Sequence, residues 1–249
     1  MSRRAVTVVE TDPVDGVRYC LIGVPDVGLV NTIALGYIIQ TKRMEEIGHL
    51  ESDAFPPAIV VHDGEPKPIF RLYRTDDIAA IYSEIPLDAR MITPVARAIV
   101  AWAKAKRVEL LVAVSGIAVP NRLDIDVPEV YGVGSTSAVT TRLTTTGIQR
   151  LEEGFVTGLH AVVMQESVKQ DVPSLLLLVQ AHMAYPDPEA AAYATSSLND
   201  VLGLKIDVHD LLAHGEEFRV KMRALMQRTQ HEMQRAQKGR EQEIPPLYT

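Results

Sequence analysis

Residues 108–114, Val-Glu-Leu-Leu-Val-Ala-Val, form a nearly continuous apolar run. A run of this length and composition is typical of a strand that is buried on both faces of a sheet. The segment before it carries a helix start signal at Thr93-Pro94, because Thr can cap a helix and Pro is tolerated in its first turn. We expect that helix to run to about Lys106. A helix followed by a doubly buried strand favours an α/β fold.

The same alternation of strands and helices continues on both sides of this run. Helices are predicted after Gly28, over 161–169 and from Pro188, with Asp187 as the cap of the last one. The segments 69–73 and 78–85 are spaced as an antiparallel pair. Further strands are predicted at 20–24, 58–61, 130–133 and 174–179. This pattern predicts a mostly parallel sheet that is covered by helices on both faces.

Composition and charge limit the kind of protein. Hydrophobic residues make up 47% of the 249 residues, which is enough for a packed core. The net charge of −7 argues against a nucleic-acid partner, which would need a basic face. The single cysteine, Cys20, excludes an internal disulfide and is expected to be a buried, inert thiol. Uncharged stretches such as 110–121 are too short to span a membrane, so we expect a soluble, cytoplasmic protein.

Two segments resemble nucleotide-binding motifs, but each lacks a required feature. Gly23 and Gly28 have the spacing of phosphate-loop glycines, but Leu29 and Val30 stand where Lys and Ser or Thr are required. Gly28 is instead expected to allow a strand and a helix to approach closely. Gly-Val-Gly at 132–134 begins like a dinucleotide motif, but no clear helix is predicted to open there.

The residues that could perform catalysis form no recognisable constellation. Ser115 follows a buried strand, but Ala113 and Ile117 stand where a nucleophile elbow needs glycines, so a structural role at the turn is favoured. Asp187, Glu189 and Asp200 are best interpreted as a helix cap and a solvated face. The seven histidines lack metal-ligand spacing and are expected at surfaces or helix ends; they are residues 49, 62, 160, 182, 209, 214 and 231. We therefore expect no cofactor, no metal and no enzymatic activity.

Several segments together resemble the proteasome assembly chaperone family over about residues 18–212. Each is short, but their order and spacing agree with that family. They are Leu-Ile-Gly-Val-Pro-Asp-Val-Gly-Leu-Val at the start of 21–36, Phe-Pro-Pro at 55–57, His-Asp-Gly at 62–64, Val-Ser-Gly-Ile at 114–117, Pro-Glu-Val-Tyr-Gly at 128–132, and Pro-Asp-Pro-Glu-Ala-Ala at 186–191. Asn31 departs from the pattern, since many members have glycine there.

This resemblance implies a three-layer α/β/α sandwich with a mixed, mostly parallel sheet, like that of nucleoside phosphorylases and peptidyl hydrolases. Similarity of fold does not carry their chemistry over to this chain. The resemblance also implies a homo-oligomer, either a tetramer or a pentamer.

The amino-acid composition changes after about Asp207. We therefore divide the chain into an α/β domain at 1–212 and an extension at 213–249. Residues 216–243 carry seven Lys or Arg and five Asp or Glu and are predicted to be helical. An apolar stripe at heptad-like spacing could pack back on the domain or pair with another helix, and both readings stay open. Its residues are Met222, Met226, Thr229, Met233 and Ala236.

The last residues, Glu-Ile-Pro-Pro-Leu-Tyr-Thr at 243–249, cannot continue a helix because of the two prolines. Leu247, Tyr248 and Thr249 resemble the terminal motif by which archaeal-type assembly chaperones and proteasome activators dock on the α-ring of the proteasome core particle. A tyrosine ring can bury a large area while its hydroxyl finds a partner, and the terminal carboxylate can pair with a lysine. The sequence therefore predicts a proteasome assembly chaperone or adaptor, with these three residues as its partner-binding site.

Two alternatives remain at this point. One is an enzyme with a phosphorylase-like or hydrolase-like fold, or an ATP-dependent ligase. Either would need an anion pocket, with Arg71, Arg74 and Arg122 as candidates. The other is an oligomeric scaffold whose tail binds a different partner.

Overall fold

The computed structural model describes residues 5–215, 217, 220, 222–223 and 225–231. Its strands are β1 Thr7–Glu10, β2 Tyr19–Gly23, β3 Glu45–Glu51, β4 Val60–His62, β5 Glu65–Lys67, β6 Arg71–Thr75, β7 Ile78–Tyr82, β8 Leu110–Ala118, β9 Val130–Gly134, β10 Gln149–Arg150 and β11 Ser174–Ala181. Its helices are α1 Val30–Thr41, α2 Ala89–Ala105, α3 Ser137–Thr145, α4 Gly158–Gln170, α5 Pro188–Leu202 and α6 His209–Ala213. The described residues from 215 to 231 are also helical, apart from the gaps above, and we call them the C-terminal helix.

Nine strands form one mixed sheet in the order β1-β3-β6-β7-β2-β8-β11-β9-β10. The four central strands, β7, β2, β8 and β11, are parallel to one another. Antiparallel pairings lie on either side of them, and they include the predicted pair β6 and β7. The long β8 lies at the centre, where it pairs with both β2 and β11.

Alternate side chains of the central strands enter two separate cores. In β8, Leu110, Val112 and Val114 belong to one core, which α1, α5 and the C-terminal helix cover. Leu111 and Ala113 belong to the other core, which α2 and α4 cover. This alternation produces three layers, because successive side chains of a strand point to opposite faces. The predicted three-layer α/β/α fold is confirmed.

Helix α2 begins one turn before the predicted start. Asp88 caps it, since its carboxylate accepts a hydrogen bond of 2.8 Å from the Arg90 amide. Thr93 and Pro94 lie inside the helix, so the prediction that they begin it was wrong.

The predicted strand at 58–61 is present as β4, but it lies outside the main sheet. Among the residues that the structure describes, its partner is β5 alone, in a two-stranded hairpin. Asp63 and Gly64 join the two strands, both with positive φ, as the favoured two-residue hairpin turns require. Ile59 and Val61 are exposed on this hairpin.

A helix also opens where none was expected, after the glycines at 132–134. Thr136 begins α3, and its hydroxyl accepts a hydrogen bond from the Val139 amide. The residues of α3 include four threonines, whose low helix propensity explains why the pattern did not predict it.

The described part of the C-terminal helix packs back on the domain. Met226 and Thr229 are buried, and Met222 and Leu225 pack against the core that α1 and α5 share. These residues agree with the first interpretation of the apolar stripe, in which the stripe packs back on the domain. Met233 and Ala236 lie outside the described residues.

Candidate functional site

Three of the segments that carry the family resemblance meet at one edge of the sheet. Residues 24–29 follow β2, residues 114–118 end β8, and residues 182–189 follow β11. Because these strands are parallel neighbours, their carboxyl ends lie at the same edge. Open α/β sheets bind ligands at that edge, so its geometry shows whether a ligand site exists here.

Asp26 links the end of β2 to β8. Its buried carboxylate accepts hydrogen bonds from the Gly116 amide at 2.9 Å and from the Asn31 amide at 3.1 Å. Burial raises the pKa of Asp26 to about 7, although these bonds and one with the Ser115 side chain lower it. Asp26 therefore links the turn after β2 to β8. With a pKa of about 7, its carboxyl group gains or loses a proton near neutral pH.

Two glycines let the turn after β2 rest directly on the neighbouring strand ends. A Cβ atom on Gly116 would lie 2.4 Å from the Val27 carbonyl oxygen. Gly28 has a φ of +66°, and a Cβ there would lie 3.1 Å from both the Ala181 Cβ and the His182 carbonyl. The predicted close approach at Gly28 is confirmed. The turn after β2 thus lies against the ends of β8 and β11.

A buried ion pair joins the loops that follow β8 and β11. Arg122 Nε donates to Asp187 Oδ2 at 2.9 Å, and Nη2 donates to Glu189 Oε2 at 2.8 Å. The Asp187 carboxylate also accepts from the Ala190 amide, as the predicted cap, and from the His182 amide. Asp187 is fully buried, and its predicted role as the cap of α5 is confirmed.

The loop 119–129 is attached to β11 at both ends. The Val119 amide donates to the Ala181 carbonyl at 3.2 Å, and the side chain of Gln180 exchanges two hydrogen bonds with Glu129. The loop nevertheless exposes large apolar side chains, as does the loop at 182–187. They are Leu123, which is 86% exposed, Val127, Met183 and Tyr185.

The three arginines proposed for an anion pocket do not converge. Arg71 pairs with Glu84 at 2.6 Å, whereas Arg74 donates to the Asp15 carbonyl at 2.7 Å. Arg122 is occupied by the ion pair described above. Each guanidinium is already bonded within the chain, so the geometry offers no shared cationic pocket at these positions.

Ser115 differs from its predicted position, whereas His160 lies at a helix end as predicted but is buried. Ser115 lies within β8, which continues to Ala118, so its predicted position at a strand-to-loop turn was wrong. His160 lies in the first turn of α4 but is buried, not at the surface, and its Nε2 is 3.1 Å from Asn31 Nδ2. Burial lowers the pKa of His160 to about 4, which keeps the ring neutral at physiological pH.

The internal space and metal-binding potential of the described residues are small. A cavity bordered by Leu21, Asn31 and Leu198 holds about 10 Å³, which is at the lower limit for one water molecule. Over the same part of the chain, no group of three or more His, Cys, Asp or Glu residues could hold a metal ion. Cys20 is buried as predicted, and burial raises its pKa to about 12. The predicted partner-binding residues Leu247, Tyr248 and Thr249 lie outside the described residues.

A family model for the PAC2 family matches residues 20–226. The chain belongs to the PAC2 family. This confirms the resemblance to proteasome assembly chaperones that the sequence motifs indicated. The match extends past residue 212 and includes Met226, one of the buried residues of the C-terminal helix.

Solved structures of PAC2 relatives have the same fold. PbaA of Pyrococcus furiosus, described as an archaeal homolog of proteasome-assembly chaperone, is 27% identical with a TM-score of 0.85, covering 91% of this chain and 98% of its own. PbaB of the same organism, described as an archaeal proteasome activator, is 18% identical with a TM-score of 0.74, covering 89% and 99%. A proteasome-assembly chaperone homologue of Mycobacterium tuberculosis is 15% identical with a TM-score of 0.61, covering 82% and 93%. The latter two show the fold alone, and no curated protein matches the chain.

The ion pair of Arg122 and Asp187 is the feature of this PAC2 protein that sequence reasoning missed. Both residues had been singled out, one as an anion ligand and the other as a helix cap. They are 65 positions apart, and only the parallel pairing of β8 with β11 brings them together.

Proposed function

We propose that this PAC2 protein is a proteasome assembly chaperone or proteasome-binding adaptor. The observation that carries the proposal is the match at 27% identity to PbaA over nearly the whole of both chains. The TM-score of 0.85 means that the match extends to the complete fold and not only to short motifs. In this proposal the protein acts in the cytoplasm.

The geometry of the carboxyl edge favours a binding protein over an enzyme. The turn after β2 lies directly against the ends of β8 and β11, and Arg71, Arg74 and Arg122 are each bonded internally. An enzyme or ATP-dependent ligase would need convergent polar groups around an open pocket. A calorimetric titration with ATP and magnesium is expected to show no micromolar binding, and such binding would favour the ligase alternative.

The docking element in this proposal is the terminal Leu247-Tyr248-Thr249, which binds a pocket of the core-particle α-ring. Pro245 and Pro246 restrict the free peptide to extended conformations, which reduces the entropy lost on docking. One such peptide buries too little surface to bind tightly. Several tails on a tetramer or pentamer would gain from a high effective concentration.

The test is co-sedimentation of the purified protein with core particles. The matched variant carries one extra residue after Thr249, which displaces the terminal carboxylate and leaves every native side chain in place. The native chain is expected to sediment with the particle and the extended chain to remain in the supernatant. Failure of the native chain to bind would contradict the proposed function. Equal binding by both would contradict docking through the terminus.

A further inference from the structure

Two adjacent loops at the carboxyl edge expose large apolar side chains, and we call these side chains the edge surface. They are Leu123 and Val127 in loop 119–129 and Met183 and Tyr185 in loop 182–187, and each is 62–86% exposed. The loops lie side by side, because both ends of the first loop are hydrogen-bonded to Gln180 and Ala181, directly before the second loop. An exposed apolar patch of this kind marks a contact with another segment.

The buried ion pair joins the two loops of the edge surface. Arg122 directly precedes Leu123, and it pairs at 2.9 Å with Asp187, the last residue of the second loop. Water and salt screen a buried pair little. The loops are therefore joined before any segment binds, which reduces the conformational entropy lost on binding.

The described chain ends beside the edge surface. The C-terminal helix is buried through Met226 and Thr229, and the next side chain, Gln230, donates a hydrogen bond of 2.9 Å to the Ala184 carbonyl. Ala184 lies between the two apolar residues of the second loop. Residues 232–249, which we call the terminal segment, therefore begin next to the edge surface.

The terminal segment is long enough to return to this surface. Within the predicted helix, Gly239 follows the basic residues Arg235 and Lys238, and this pattern favours the end of a helix. A helix that ends there extends about 10 Å past residue 231. The ten residues from Arg240 to Thr249 span about 33 Å when extended, so they can reach back to the edge surface.

Apolar side chains, and not charge, make the terminal segment complementary to the edge surface. Its basic and acidic side chains number three each, so their charges cancel. Its last large apolar residues are Ile244, Leu247 and Tyr248. Aromatic rings pair favourably with each other and with a methionine sulfur, which the edge surface supplies in Tyr185 and Met183.

We propose that the terminal segment folds back and binds the edge surface of its own chain through Ile244, Leu247 and Tyr248. The inference rests on the proposed function, because Leu247 and Tyr248 also dock on the core particle there, so the two contacts compete. Attachment beside the surface gives the segment an effective concentration of roughly 1 mM. A self-contact with a Kd of about 0.1 mM would then hold about nine tenths of the segments on the surface. The apparent affinity for the core particle falls in proportion to the free fraction.

Cross-linking with a short bifunctional maleimide tests which segment occupies the edge surface. Native Cys20 does not interfere, because it is buried. In Met183→Cys/Leu247→Cys, we expect the reagent to join the two cysteines of one chain, as measured by mass spectrometry after separation on a denaturing gel. The matched control is Val168→Cys/Leu247→Cys, which should remain unlinked. Val168 is 62% exposed near the end of α4, a helix that covers the opposite face of the sheet from the C-terminal helix.

Two cross-linking results would overturn the inference. Links between chains in the test variant would show that a second copy supplies the segment. Equal linking in both variants, or none in either, would show that the segment has no preference for the edge surface.

Binding to core particles tests the competition. Leu123→Ser/Met183→Ser removes apolar side chains from the edge surface and leaves the terminal segment unchanged. We expect the apparent Kd for core particles to fall about tenfold, because the segment is then free. The control Val168→Ser should keep the native Kd, and urea midpoints close to native will show that both variants are folded. An unchanged or higher Kd for the loop variant would overturn the competition.

The two proposals fail separately, because cross-linking without core particles reports the self-contact and co-sedimentation of the native chain reports the function. A cross-linked chain whose native form does not bind core particles would contradict the proposed function and leave the self-contact standing.

Discussion

At both edges of the parallel strands an arginine pairs with carboxylates, but the pairs are exposed at one edge and buried at the other. At the amino edge, Arg18 pairs with Asp77 at 3.3 Å and with Glu109 at 3.0 Å, and these side chains are 40–55% exposed. At the carboxyl edge, Arg122 pairs with Asp187 at 2.9 Å, and their exposed fractions are 3% and 0%. Each pair joins segments next to neighbouring strands, but only the second is removed from water.

The difference in burial determines what each pair can do. Exposed pairs contribute little to stability, because water and salt screen them. A buried pair gains little over apolar packing, but loss of one partner leaves an uncompensated charge inside the protein. The buried pair joins the loops after β8 and β11, and these loops carry the exposed apolar side chains.

The largest expected effect on stability follows from removing one charge of the buried pair. Asp187→Asn keeps the shape of the side chain but removes the buried carboxylate of Arg122, which then keeps only the partly exposed Glu189 as its partner. We expect a loss of about 3 kcal/mol in the free energy of unfolding, at the lower end of the cost of breaking a buried pair, measured by urea denaturation. The double variant Arg122→Met/Asp187→Asn should recover part of that loss. A loss below about 1 kcal/mol for Asp187→Asn would remove the contrast between the two edges.

A change in the free energy of unfolding that depends on pH is expected from Asp26. Its folded-state pKa of about 7 lies above its ordinary value of 3.8, so the folded protein holds this proton more tightly than the unfolded chain. The stability that Asp26 contributes is therefore complete below about pH 4 and is lost as the pH rises to 7. Relative to Asp26→Asn, the native chain should lose on the order of 3 kcal/mol across this range.

The difference in the free energy of unfolding between the native chain and Asp26→Asn excludes the contribution of His160, because both proteins contain this histidine. The contribution of His160 changes with pH in the opposite direction. The pKa of His160 is lowered from 6.5 to about 4, so its contribution is lost as the pH falls through that range. Urea unfolding at four pH values between 4 and 7.5 measures both curves. A constant difference between the native chain and Asp26→Asn would show that the carboxyl group does not titrate in this range.

The smallest effect is expected at the amino edge. Arg18→Ala removes both exposed pairs, with Asp77 and Glu109, and should leave the urea midpoint within experimental error. A destabilisation as large as that of Asp187→Asn would show that burial does not separate the two edges.

Sequence patterns predicted the parts of the fold that depend on local signals. The apolar runs of β2, β8 and β11 gave the central strands, and Asp187 followed by Pro188 gave the start of α5. Strand β3 was not predicted, because a bulge between Glu46 and Gly48 and several polar residues interrupt its alternation.

The arrangement of the carboxyl edge could not be predicted in the same way. The neighbours of Asp26 and Arg122 come from strands that are distant in the sequence, and no local signal states which strands lie side by side. The close approach at Gly28 was predicted, but only the structure shows that Gly116 also faces another part of the backbone, the Val27 carbonyl oxygen.

The most direct test of the proposed function is co-sedimentation of Tyr248→Ala with the proteasome core particle. The matched control is Phe155→Ala, which removes an aromatic side chain that is 91% exposed on the body of the domain. Loss of an aromatic anchor costs about 2 kcal/mol or more at each site, and several tails repeat that loss. We predict that Tyr248→Ala keeps the native oligomeric mass and stays in the supernatant, while Phe155→Ala sediments like the native chain. Equal sedimentation of Tyr248→Ala and the native chain would contradict docking through the C-terminal residues.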